Sequence, residues 1–163
     1  MAENLTIRAN GDCEVMVKRS FDAPRHRVFD AFVRPELVKR WLLGPDGWSM
    51  PLCDMDPRFG GAYRWAWQKA DGTRMGVRGV FREVAPAKRI VHTEQFEPAW
   101  YPGEALVTTR FVEEDGRTTL TATIRYPSQE ARDVALNSPM KEGMAMSYDR
   151  LERLLTPASS RAH

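Results

Sequence analysis

The stretch GGAYRWAWQKADG, residues 60–72, decides how the chain is read. Tyr63, Trp65 and Trp67 recur at every second position, with Arg64, Ala66 and Gln68 between them. Alternate side chains of a β-strand point to opposite faces, so three large aromatics share one face here. Gly60 and Gly61 follow a turn containing Pro57, and glycine permits a sharp entry into a strongly twisted strand. Asp71-Gly72 is a hairpin signal, so the next strand should fold back antiparallel.

The same texture extends in both directions. WSMPLCDMD, AYRWAWQKA, TRMGVRGVFREVA, KRIVHTEQFE, ALVTTRFVEED and RTTLTATIRYP read as six strands parted by short turns. Upstream, EVMVKRSF at 14–21 alternates, with Val15 and Val17 on one face. Asp22-Ala-Pro24 then starts a helix, with Asp22 as its cap and Pro24 in its first turn. Pro35 ends that helix and opens a second short one, PELVKRWLL, stopped by Gly44-Pro45. Residues 128–155 form one long helical segment, with Met140, Met144, Ser147, Tyr148, Leu151, Leu154 and Leu155 as its apolar stripe. A break is expected near Asn137-Ser138-Pro139, because a proline disfavours helix in the residue before it. The expected class is α+β: a curved seven-stranded antiparallel sheet wrapped around a long C-terminal helix, with two short helices after the first strand. Residues 1–11 and 157–163 read as loose termini around a single domain at 12–156.

Composition narrows the function classes. The net charge of +2, with Lys and Arg dispersed, gives no strong pull toward nucleic acid or a membrane surface. No stretch approaches the roughly 20 apolar residues of a membrane span. Residues 1–12 lack the apolar core of a signal peptide, so a cytoplasmic location is expected. Cys13 and Cys53 stand outside any CxxC or metal-ligand spacing and read as free thiols. No HExxH, GxSxG, P-loop or GxGxxG occurs, so neither metal nor cofactor is expected.

Strand parity then locates a candidate site. Arg74, Arg78 and Arg82 mark an outer face, which leaves Met75, Val77, Gly79 and Phe81 inside; Leu120, Ala122 and Ile124 also face in. An inner wall that mixes very large side chains with Gly79 and Ala122 can leave a space. On strand 88–97, His92 and Glu94 share the parity of Ile90 and Phe96. Two ionisable groups on an apolar face are costly unless paired or wet. They could border a cavity, or be a satisfied core histidine and a glutamate turned outward at a bulge. His26 sits among Arg25 and Arg27 and His163 is terminal, so His92 is the histidine placed for acid–base work.

FDAPRHRVFDAF at 21–32, PELVKRW at 35–41, GP at 44–45, DPRFGGAY at 56–63, GVFREVAPAKRIVHTE at 79–94 and EGMAMSYDRLERLL at 142–155 resemble the activator of heat-shock protein ATPase homologue-like family. That family belongs to the START-like, or SRPBCC, superfamily of helix-grip proteins. The resemblance implies a deep hydrophobic cavity between sheet and C-terminal helix. Superfamily members bind lipids, hormones or polyketides there, and a few catalyse cyclisation or hydrolysis. Two departures lie near that cavity. Leu42 and Leu43 follow Trp41 where the family often has a second Trp, and Met144 follows Gly143 where it often has Trp.

The leading expectation is a module that binds a small hydrophobic or amphipathic molecule. The candidate wall is Trp41, Tyr63, Trp65, Trp67, Val77, Phe81, Phe96, Met140, Met144 and Tyr148, with His92 and Glu94 orienting a polar group. The alternatives are an enzyme with His92 as base and Glu94 orienting it, and a co-chaperone-like interaction domain. A homodimer is left open.

Overall fold

A computed structural model describes residues 4–156. The order is β1 (Thr6–Asn10), β2 (Glu14–Phe21), α1 (Arg25–Val33), α2 (Pro35–Trp41), β3 (Trp48–Met55), β4 (Ala62–Lys69), β5 (Arg74–Ala85), β6 (Arg89–Glu97), β7 (Ala105–Glu114), β8 (Arg117–Arg125), α3 (Gln129–Leu136) and α4 (Met140–Leu155). The strands make one curved, open antiparallel sheet in the order β1-β2-β8-β7-β6-β5-β4-β3.

The sheet has eight strands, not seven. Thr6–Asn10, expected as part of a loose N-terminus, pairs with β2 from Thr6↔Lys18 to Asn10↔Glu14. It is an edge strand with mostly polar side chains, so it lacks the apolar alternation that marks the others. Its legible signal is the Asn10-Gly11 turn, where Gly11 has a φ of +64°. The remaining loose ends expected at 1–3 and 157–163 lie outside the described residues.

The C-terminal segment divides at residues 137–139 as the proline requires, and Ser128 caps α3 by accepting from the Ala131 N–H at 3.1 Å. The start of α1 differs from expectation. Pro24 is its N-cap residue and Asp22 stands outside the helix; the Arg25 N–H donates instead to Glu113 Oε1 on β7 at 2.9 Å. A Cβ on Gly61 would collide with the Asp56 carbonyl, so the entry to β4 requires glycine there.

The core lies between the sheet's inner face and the helices. Val15, Val17 and Phe21 of β2, Phe111 of β7 and Leu120 of β8 are almost fully buried, as are Val28, Val38, Trp41 and Leu151 from the helices. Burying one such side chain contributes about 1.5–3 kcal/mol. Arg74, Arg78 and Arg82 are exposed while Val77 and Phe81 are buried, as the parity of β5 predicts, but Met75, expected inside, is exposed at the start of the strand. No helix among the described residues is long and apolar enough to cross a membrane.

Candidate functional site

A cavity of about 140 Å³ lies between the inner sheet face and α4. Tyr63 and Trp65 of β4, Phe81 of β5, and His92 and Glu94 of β6 form one wall. Trp41, Met144 and Tyr148 close it from the helices. Each strand presents these side chains through its two-residue period, and Met144 and Tyr148 are one helical turn apart on α4.

The other four candidate residues lie nearby and do not line the space. Trp67 is buried and donates its indole N–H to the Leu42 carbonyl at 2.7 Å. Val77 is buried between its register partners Trp65 and Phe96. Phe96 packs on Trp100, with ring centroids 5.4 Å apart, and Met140 packs half-buried against the core at the start of α4. Gly79 leaves no empty space. A Cβ there would collide with the Thr93 carbonyl and the ring of Tyr63, so Tyr63 occupies the room the glycine provides.

Several wall residues escaped the sequence reading. Val107 and Thr109 of β7 share the parity of buried Phe111, a signal present in the sequence. Phe32, Val38 and Met55 arrive from α1, α2 and β3, and only the tertiary fold brings them together. Leu42, one of the departures from the family pattern, is also in the wall.

The polar groups of the wall fall into two kinds. The Tyr63 hydroxyl donates to the Thr93 carbonyl at 2.6 Å. His92 Nδ1 lies 3.1 Å from that carbonyl and 3.2 Å from the Tyr63 oxygen. With the phenol proton committed to Thr93, Nδ1 carries its own proton toward the same carbonyl. Nε2 is then left with a lone pair. Burial lowers the His92 pKa from 6.5 to about 4, so the ring is neutral at physiological pH.

Glu94 is half-buried and has no hydrogen-bond or ion-pair partner among the described residues. Burial alone raises its pKa from 4.5 to about 7. Its charge in turn raises the pKa of Tyr63, Tyr101 and Tyr126, second to burial in each case. The Trp65 indole N–H and the Tyr101 hydroxyl are buried with no hydrogen-bond partner. By contrast the Trp41 indole donates to the Ala31 carbonyl at 2.9 Å. No hydrogen bond joins His92 to Glu94; Tyr63 and Thr93 orient the imidazole.

At the Glu94 end, Trp100, Tyr101 and Tyr126 form an aromatic cluster, with the Tyr101 and Tyr126 rings 5.5 Å apart. Across the core, Arg19 of β2 is fully buried on the parity of Val15 and Val17 and reaches Asp149 and Glu152 of α4 at 3.0 and 3.1 Å. Among the described residues no cluster of three or more His, Cys, Asp or Glu is arranged to hold a metal ion.

The model of the family described as Activator of Hsp90 ATPase homolog 1-like protein matches residues 22–156. A crystal structure of a Rhodobacter sphaeroides protein is 29% identical, covers 93% of this chain and 97% of its own, and superposes with a TM-score of 0.87. A Staphylococcus epidermidis protein solved by NMR is 26% identical over 92% of this chain and 93% of its own, with a TM-score of 0.78. A Nitrosomonas europaea protein, 24% identical over 95% of this chain and all of its own, shares the fold with a TM-score of 0.79. No functionally curated protein matches the chain.

Proposed function

The chain belongs to the Activator of Hsp90 ATPase homolog 1-like family, and on that premise we propose that it binds a small, mostly apolar molecule in the cavity between sheet and α4. The observation that carries this reading is a largely apolar, aromatic-walled cavity bordered by the half-buried Glu94 carboxyl, which has no partner among the described residues, and by the buried, unpartnered Trp65 N–H. Buried polar groups are nearly always satisfied, and a bound molecule is one way an exception inside a cavity is met. Trp41, Tyr63, Trp65 and Phe81 give a stiff wall, and Met144 opposite is an adaptable one. The volume of about 140 Å³ suits a molecule the size of one ring, since a 150 Å³ apolar cavity accepts benzene.

The test is a titration with benzyl alcohol, followed by indole fluorescence and thermal unfolding. The wild-type protein responds on both readouts, because a ligand of the native state raises its stability. Met144→Trp keeps the far-UV spectrum and loses the response, since the larger ring fills the space. No response in the wild type, or unfolding of Met144→Trp through overpacking, would remove the cavity as a binding site.

A second reading has its own support. A carboxyl with a pKa of about 7 suits a general acid or base in a largely apolar cavity. In that reading Glu94 transfers the proton and His92 Nε2 accepts a substrate hydrogen bond, which reverses the roles expected from sequence. Turnover lost in Glu94→Gln with substrate binding retained would favour the enzyme.

A further inference from the structure

The chemistry of the wall narrows the occupant. Of the side chains around the cavity, none is Lys or Arg, and Glu94 alone has a carboxylate to offer. His92 presents Nε2 as an acceptor, because its Nδ1 is engaged with the Thr93 carbonyl and Tyr63. Among the described residues the one buried indole donor without a partner is Trp65. A carboxylate ligand would meet a like charge and an acceptor with no cation nearby, a costly arrangement in a low-dielectric interior. A neutral ligand would leave Glu94 either an unpaired carboxylate or a carboxyl that must keep its proton. An ammonium group supplies what is missing: a positive charge for Glu94 and further N–H donors, one of which suits His92 Nε2. The wall is rich in aromatic rings, Tyr63, Trp65 and Phe81 among them, and such rings attract a cation placed over their faces.

We infer that the occupant is a compact amine, an apolar body of about one ring bearing a single ammonium group that pairs with Glu94. This rests on the cavity being a binding site. The titratable groups around Glu94 are Tyr63 on β4, His92 on β6, Tyr101 and Glu104 in the β6–β7 connection, Tyr126 after β8 and Tyr148 on α4. The tyrosines hold their protons and His92 stays neutral through the neutral range. Glu94 is therefore the wall group whose charge changes there.

The experiment compares benzylamine, benzyl alcohol and benzoate on the full chain by calorimetry and indole fluorescence. Near neutral to mildly alkaline pH, benzylamine binds about tenfold or more tighter than benzyl alcohol, the scale of one desolvated ion pair, and benzoate does not bind. Its affinity falls about tenfold for each pH step below 7, because Glu94 must then give up a proton to pair. Benzyl alcohol shows no such fall. Glu94→Gln removes both the preference for the amine over benzyl alcohol and its pH dependence. The inference is overturned, with the cavity reading intact, if benzyl alcohol binds and benzylamine is no tighter. A benzylamine affinity that is flat across the acid range, or an amine preference that survives Glu94→Gln, overturns it in the same way. If none of the three probes binds, the inference and the cavity reading fail together.

Discussion

Arg19 and Glu94 are both ionisable groups turned toward the inside of the same sheet, and the fold treats them in opposite ways. Arg19 sits on β2 facing the C-terminal half of α4, where Asp149 and Glu152 meet its guanidinium and the ring of Phe21 lies 5.3 Å below it. Glu94 sits on β6 in the cavity wall, where none of the described residues brings a cation to it. A buried charge met by partners fastens one element to another; a buried charge without a partner is a standing cost unless something else meets it. The first region reads as the joint that holds the helix in the grip. The second reads as the place the grip leaves open.

The largest effect expected from this contrast is at the joint. Arg19→Ala should lower the unfolding free energy by about 3 kcal/mol, through lost packing of its stem and lost pairing with α4, read from denaturant unfolding. The opposite sign is expected at the open place. Near pH 8 the folded chain carries an ionised, unpartnered Glu94, so Glu94→Gln should stabilise it by about 2 kcal/mol. A loss of stability in Glu94→Gln would mean that the carboxylate has a partner, and the contrast with Arg19 would disappear.

The pH dependence sharpens the comparison within β6. The folded chain keeps a proton on Glu94 that the unfolded chain releases above 4.5, so this stabilisation is full below 4.5 and gone once pH passes 7. His92 works in reverse. The unfolded chain protonates it below 6.5 and the folded chain does not until about 4, so that stabilisation is present above 6.5 and lost as pH falls toward 4. The two slopes oppose each other between 4.5 and 6.5. Relative to wild type, Glu94→Gln should become more stable with rising pH in this window and His92→Phe less stable. Each slope approaches about 1.4 kcal/mol per pH step. Identical slopes in all three proteins would show that neither group titrates as a buried one.

The smallest effect separates two indoles of one strand. Trp67→Phe removes a hydrogen bond to Leu42 and Trp65→Phe removes none, so Trp67→Phe should cost about 1 kcal/mol more in unfolding free energy. Equal losses would show that the Trp65 N–H is satisfied after all.

These contrasts were unevenly legible in the sequence. The alternation of Tyr63, Trp65 and Trp67, the outer arginines of β5 and the Pro139 break were sufficient for β4, β5 and the divided C-terminal helix, because period and proline act locally. β1 left little trace, since an edge strand is held by main-chain bonds that its polar side chains do not advertise. Parity put His92 and Glu94 on one face, and it also put Arg19 on the face of Val15 and Val17, a signal passed over among the apolar residues. What parity cannot carry is partnership. That Asp149 and Glu152 come to Arg19 and no described residue pairs with Glu94 depends on how α4 crosses the sheet. Trp67 shows the same limit: it has the inward parity of Trp65, yet its indole is tied to the end of α2 and contributes no wall.

The most direct test of the account is the titration of the Glu94 side-chain carboxyl, followed by carbon NMR in the ligand-free protein. A pKa of about 7 is expected, with the resonance of Glu94 assigned by its loss in Glu94→Gln. A midpoint at the ordinary value of 4.5 or below would mean that Glu94 is solvated or paired, and that the cavity carries no unmet charge for a ligand to answer.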